Sequence, residues 1–176
     1  MQTSKPYRVS HRLRGFDYSL PEAYYITICT FQKKCIFGVV RSGRVFLNRL
    51  GAIVREEWLN TPELRPGVKL AEFEIMPNHI HGIIVTGEGK PTEPPSDSLG
   101  AIVGSFKGAV TKRIRQHLGR SRFEVWQRDY YDHIIRDNDD WERIRAYILD
   151  NPANWSSDPE NPVGAPGRAP AKGPGI

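Results

Sequence analysis

Residues 68–87 read VKLAEFEIMPNHIHGIIVTG. The first eight alternate well enough for a strand, and Met76-Pro77-Asn78 supplies a turn. The run from His79 then reads as a second strand folding back on the first, so an antiparallel hairpin is expected in the middle of the chain. Because strand side chains alternate, His79 and His81 leave one face and Ile80 the other. Two imidazoles beside strongly apolar neighbours make a polar spot that needs water or a cation as compensation. Two neutral nitrogens suit Mn, Zn or Ni more readily than Mg. Metal-dependent amidohydrolases also begin with His-x-His, but they need a barrel of roughly 200 or more residues. By itself the pair leaves a structural role open.

Outward from this hairpin, YYITICTFQ at 24–32 combines aromatic and β-branched residues and reads as a first strand. Leu47, Leu50, Ile53, Val54 and Trp58 recur at helical spacing, which predicts a helix over about 48–60 before Pro62, Pro66 and Gly67 break the chain. The Cys35–Gly43 region between strand and helix reads as turn. Downstream, Gly87–Asp97 is a loop by composition. A helix over 98–117 follows, with Leu99, Ile102, Val103, Phe106, Val110 and Ile114 on one stripe. Val125–Trp126 and Tyr130–Ile135 predict the fourth strand. The order βαββαβ describes an α+β, ferredoxin-like split sandwich, an antiparallel sheet with both helices on one face. Asn138 can cap one more helix, running to about Asn151 where Pro152 stops it. Pro and Gly dominate from Ser156, so residues 1–155 read as the domain and 156–176 as a disordered tail.

The chain has 176 residues and a formal net charge of +5. One domain of ordinary size fits that length. No apolar stretch approaches the roughly 18 residues of a membrane span, and the basic N-terminus lacks the apolar core of a signal peptide, so a cytoplasmic protein that does not contact membrane is expected. Cys29 and Cys35 fit neither a disulfide framework nor a zinc cluster and read as reduced thiols. Between Ser98 and Phe123 there is no acidic residue, while Lys107, Lys112, Arg113, Arg115, Arg120 and Arg122 all fall there. Clustered cations are what displacing DNA counterions requires, though a solvated helix face is the plainer alternative. Lys5, Arg8, Arg12 and Arg14 form a second basic run, either an arm on nucleic acid or a frayed end.

On the last helix Tyr147 and Asn151 are four residues apart and share a face, with Trp141, Ile144 and Ile148 as the packed stripe. Residue by residue, a core tyrosine with its hydroxyl at the rim remains open. The blocks MPNHIHGIIV, LGAIVGSFKGAVTKRI, WQRDYYDHIIRD and RIRAYILDNPANW, taken in order and spacing over about residues 14–155, resemble single-tyrosine HUH transposases, especially the REP-associated tyrosine transposases. That resemblance implies a ferredoxin-like domain, a divalent metal (Mg or Mn) on His79 and His81, Tyr147 as nucleophile and Asn151 as third ligand. The insertion-sequence branch carries glutamine at this last position, so the shorter asparagine is a departure. Tyr130 and Tyr131 are rival nucleophiles, but they fall on or beside a strand.

The activity implied is metal-dependent nicking and strand transfer on single-stranded or hairpin DNA, such as a REP hairpin, through a 5′-phosphotyrosine. A monomer is implied by the REP-associated branch and a dimer by the insertion-sequence branch. His133, the remaining histidine near these blocks, could orient a ligand, contact phosphate or sit structurally, and the structural role is the one expected. The alternatives are a non-catalytic module that binds hairpin DNA or RNA, and a replication-initiator or relaxase nuclease, which typically carries more chain and a different motif order.

Overall fold

The computed structural model describes residues 22–87 and 98–162. The N-terminal basic run, the loop from Glu88 to Asp97 and the chain after Pro162 lie outside the described residues. The elements are β1 (Ala23–Cys29), β2 (Gly38–Arg41), β3 (Arg44–Leu47), α1 (Arg49–Leu59), α2 (Thr61–Leu64), β4 (Val68–Ile75), β5 (His79–Thr86), α3 (Leu99–Leu118), β6 (Tyr131–Ile135) and α4 (Asn138–Asp150). Four strands form one antiparallel sheet in the order β4-β5-β1-β6. The central strands β1 and β5 are thus distant in sequence and paired in space, the strand order of a split sandwich.

Alternation along the strands sorts the core into two layers. On one face Tyr24, Ile26, Ile28, Ile80 and Ile84 pack with Trp58 of α1 and with Ile102, Phe106 and Val110 of α3. On the other, Tyr25, Ile83 and Ile135 pack with Ile144 and Ile148 of α4. Each isoleucine so buried contributes about 1.5–3 kcal/mol, so α4 docks by its apolar stripe even though the rest of the helix is polar. The pair α1 and α3 therefore covers one face, as the βαββαβ pattern implies. The helix carrying Tyr147 covers the face from which the histidines project.

Polar side chains close the helix ends. Asn48 Oδ1 accepts from the amides of Leu50 and Gly51 at the start of α1, Ser98 caps α3, and Gly119 ends it in the left-handed conformation. At α4 the cap is Asp137, which accepts from the amide of Asp140, and not Asn138, which sits one residue inside.

Three expectations change. The Cys35–Gly43 region is not all turn: β2 and β3 form a separate two-stranded ribbon. Val125–Trp126 adds no length to the fourth strand; Trp126 makes one isolated bridge to Thr30. Residues 156–162, expected to begin a disordered tail, pack on the domain, with Asp158 and Asn161 buried. Tertiary contacts order a segment whose composition alone would not. Both cysteines are free thiols. Among the described residues no helix is long and apolar enough to cross a membrane.

Candidate active site

Strand register places the imidazoles. His79 lies opposite Cys29 and His81 opposite Thr27 on β1, and Gly82 between His81 and Ile83 leaves room for the Trp58 ring behind the strand. The two rings are 4.4 Å apart between centroids and both are buried.

Each ring is held by its Nδ1. Asn78 donates its Nδ2 to the carbonyls of Lys33 (3.0 Å) and Glu160 (2.6 Å), which leaves its Oδ1 as the acceptor 2.8 Å from His79 Nδ1. His79 Nδ1 therefore carries the proton and Nε2 the lone pair. His81 Nδ1 lies 2.9 Å from both the Tyr25 hydroxyl and Thr27 Oγ1, so its Nε2 is likewise the outward nitrogen. Orientation of a ligating histidine through its other nitrogen is a recurrent feature of metal sites.

The opposite wall comes from α4 and from the chain that follows it. Tyr147 packs its ring 5.3 Å from His81 and 6.3 Å from Tyr25. Asn151, which caps the C-terminus of α4, is buried with its amide against His79, Tyr147 and Asp158. A 3₁₀ turn at Trp155–Ser157 then returns the chain over the histidines. The Trp155 ring lies 6.1 Å from His79, and Asp158 Oδ2 is 3.7 Å from His79 Nε2. Several bonds hold the segment there. Asp158 Oδ1 accepts from the Glu160 amide, and Glu160 accepts from Asn78 through its carbonyl. The Glu160 carboxylate pairs with Lys33 at 2.8 Å and accepts from the Cys29 thiol.

Four buried polar atoms on these walls have no hydrogen-bond partner: His79 Nε2, His81 Nε2, Asn151 Oδ1 and Asp158 Oδ2. One ligand atom from each of His79, His81 and Asp158 falls within 4.8 Å of the others. Orphaned buried polar groups are costly, and two nitrogens, a carboxylate and an amide oxygen form a donor set suited to a divalent cation. The residues thus fit a metal. Asp158 was missed in the sequence because it sits among prolines. Trp155, a bulky apolar residue in an otherwise polar stretch, was the available sign that the segment docks.

Burial sets the protonation of the site. It pushes His79 well below the ordinary histidine value, with His81 adding to the effect, and His81 down to about 3. Both rings are therefore neutral, the form that binds a cation. Burial raises the Asp158 carboxyl. The Tyr147 phenol is pushed up to about 12, first by burial and then by the Asp158 and Glu160 carboxylates, with Asn151 opposing.

The other tyrosines are placed differently. Tyr131 meets Tyr25 edge-on from β6, and Tyr130 joins the core on the far face of the sheet. His133 Nε2 bonds Asp140 Oδ2 at 2.7 Å, and Arg143 pairs with the other oxygen, a clasp between β6 and the first turn of α4.

The six basic residues of the α3 region divide. Arg113 pairs with Glu57 at 2.7 Å and with Glu56, which ties α3 to α1. Lys107 donates to the carbonyls of Gln127 (2.7 Å) and Arg128 (2.9 Å). Arg115 Nε donates to the Phe123 carbonyl, while Lys112, Arg120 and Arg122 are exposed. A groove of about 750 Å³ runs between α3 and residues 121–128, lined by Lys107, Lys112, Arg115 and Arg128. Its far wall is pinned to the end of β1 by Phe31 N to the Val125 carbonyl and Gln127 N to the Cys29 carbonyl, both 2.9 Å.

Comparison with known proteins identifies the family and the fold. Residues 36–151 match the family model described as Transposase IS200 like. An uncharacterized protein of Haemophilus influenzae is 40% identical over 167 residues, covering 86% of this chain and 92% of that protein. A solved REP-associated tyrosine transposase bound to a REP hairpin superposes with a TM-score of 0.53 at 16% identity, over 88% of this chain and 74% of that one, a likeness of fold. With the family model spanning most of the domain, both strands of the histidine hairpin and the last helix, the chain belongs to the IS200-like transposase family.

Proposed function

We propose that the protein nicks and rejoins single-stranded DNA at hairpin-bearing sites, with Tyr147 as the nucleophile and a divalent ion, Mg or Mn, held by His79 and His81. The observation that carries this reading is the convergence of unpartnered buried donor atoms beside the Tyr147 ring. Asn151 Oδ1 and Asp158 Oδ2 both offer themselves as further ligands, and the carboxylate is the stronger donor for a hard cation. When bound, the ion supplies a positive centre that polarises a phosphate oxygen and offsets the carboxylate charge that raises the phenol.

The chain's own residues do the rest. Asn78, Tyr25 and Thr27 hold the two Nε2 atoms forward. Tyr147 Oη attacks the scissile phosphorus, forming the O–P bond as the bond to the 3′-oxygen breaks. The phenolic proton passes to solvent water as Tyr147 is activated, and the departing 3′-oxygen takes up one proton from solvent to end as a free 3′-hydroxyl. The phosphodiester is conserved as a 5′-phosphotyrosine, so a different 3′-hydroxyl can reverse the step and join strands without a nucleotide cofactor. Lys112, and Arg115 through the terminal nitrogens that its bond to the Phe123 carbonyl leaves over, would hold flanking phosphates along the groove, with the exposed Arg120 and Arg122 adding charge outside its lining. Arg113 and Lys107, already bonded within the protein, would contribute less.

The rival is a hairpin-binding module that does not cut, and the observation on its side is that Asp158 and Trp155 cover the histidines. Covalent trapping separates the two. Wild-type protein incubated with hairpin-bearing single-stranded DNA and manganese should yield a denaturation-resistant adduct, and Tyr147→Phe should yield none. Tight binding without adduct, or an undiminished adduct in the variant, would overturn the assignment.

A further inference from the structure

The β2–β3 ribbon lies outside the main sheet, and its exposed face has no part in the packing described above. Val39 pairs across the ribbon with Phe46, and Arg41 with Arg44. Residues two apart on a strand share a face, so Val39, Arg41, Arg44 and Phe46 all project to one side. All four are exposed, Phe46 by 55%. The turn between the strands is tight, with Ser42 and Gly43 both at positive φ.

Two features of this face call for a ligand. Like charges placed directly opposite on neighbouring strands repel, yet neither Arg41 nor Arg44 has an acidic partner among the described residues. Nor is there any aspartate or glutamate between Glu22 and Glu56, a stretch that also holds Lys33, Lys34, Arg49 and Arg55. A large aromatic ring exposed beside two guanidinium groups is the combination that stacks a base and neutralises its flanking phosphates.

The placement says which nucleic acid segment would sit there. At its base the ribbon is tied to the turn preceding His79, through Phe37 N to the Pro77 carbonyl at 2.9 Å. At its tip, Gly43 lies against Ala153, two residues beyond Asn151; a Cβ on Gly43 would be 3.5 Å from the Ala153 Cα. The ribbon thus spans from the histidine strand to the end of the tyrosine helix.

We infer that the outer face of the β2–β3 ribbon is a docking strip for single-stranded DNA next to the cleaved phosphate, with Phe46 stacking on a base and Arg41 and Arg44 holding the phosphates on either side. The inference rests on the nicking function proposed above and adds to it a substrate contact separate from the α3 groove.

The test compares two fluorescent DNA probes, a blunt hairpin and the same hairpin with a single-stranded extension, in anisotropy titrations of the full chain over a range of salt. Wild type should bind the extended probe more tightly than the blunt one. Arg41→Ala/Arg44→Ala should leave blunt-hairpin affinity in place, lower extended-probe affinity about tenfold or more and reduce its salt slope by about 1.4, two phosphates at about 0.7 each. Phe46→Leu, which keeps an apolar side chain, should lose about tenfold on the extended probe, while Phe46→Trp should retain binding, since stacking and not mere cover is at stake.

These positions are solvent-exposed, and unchanged thermal melting would confirm that the variants fold. Extended-probe binding that is unaltered in all variants, or a loss shared equally by both probes, would refute the inference. So would a wild-type dimer that Phe46→Leu dissociates, which would give the strip to a second copy of the chain. The two readings also fail separately. If no adduct forms but the extension effect disappears in the variants, nicking is wrong and the strip stands. If the adduct forms and the variants keep the effect, only the strip is wrong.

Discussion

Gly82→Ala tests whether the histidine strand is seated by the tryptophan behind it. A Cβ at Gly82 would come 2.5 Å from Trp58 Cζ2 and 3.0 Å from Cη2, against an ordinary contact of about 3.4 Å, so roughly 0.9 Å must be found. Trp58 cannot easily give it. The indole is buried, edge-on to Phe106 at 5.2 Å and tilted on Phe73 at 5.9 Å. Overpacking of this kind costs about 1–3 kcal/mol. Urea unfolding should show a midpoint lowered accordingly with an unchanged slope. Trp58→Phe removes the atoms that clash, so the double variant should be more stable than the sum of the two single losses predicts, by about 1 kcal/mol or more. Manganese titration reports which side yields. If β5 backs away, it carries His81 with it and weakens metal binding; if the indole moves, affinity holds. An unchanged midpoint for Gly82→Ala, or strict additivity in the double variant, would refute this account of the packing.

Three further outcomes follow from the site. Asn78→Ala removes the acceptor that fixes the His79 proton on Nδ1 and two bonds that anchor residues 33 and 160; metal affinity measured by calorimetry should fall about 10–100-fold. Metal-free protein should lose stability as pH falls below about 6.5, because the unfolded histidines take up protons while the buried folded ones, with His81 near 3, do not. The slope should be at most about 1.4 kcal/mol per pH unit for each histidine. Asp158, held above its usual range, works in the opposite sense at the acid end. Thermal melts in chelator across pH 7.5 to 5 check the sign, and a flat profile would contradict it. Finally, Arg113→Ala should leave DNA affinity within about twofold of wild type, because its guanidinium is already bonded to Glu56 and Glu57, whereas Arg120→Ala/Arg122→Ala should weaken binding and flatten its salt dependence.

What the sequence made legible was whatever its local periodicity encodes. The stripe on α3, the alternation around His79 and His81 and the four-residue step from Tyr147 to Asn151 each report a face, and the sheet packs those faces as their periods require. Long-range complementarity was invisible by the same logic. Nothing in SSDPEN says that Asp158 will reach His79, because the contact depends on Asn78, Lys33 and Cys29 gripping Glu160 from two other parts of the chain. Nothing in TKRIR says that Arg113 will be claimed by two glutamates on α1 while Lys112, one residue earlier, stays in solvent. The ribbon shows both limits. Its strands are four residues each, too short for alternation to stand out, and the turn Arg41-Ser42-Gly43-Arg44 reads as loop until the pairing of Val39 with Phe46 is seen. Charge clustering located a basic surface on α3, but a second one, carried by only two arginines and a phenylalanine, emerges only when cross-strand register puts them on the same face.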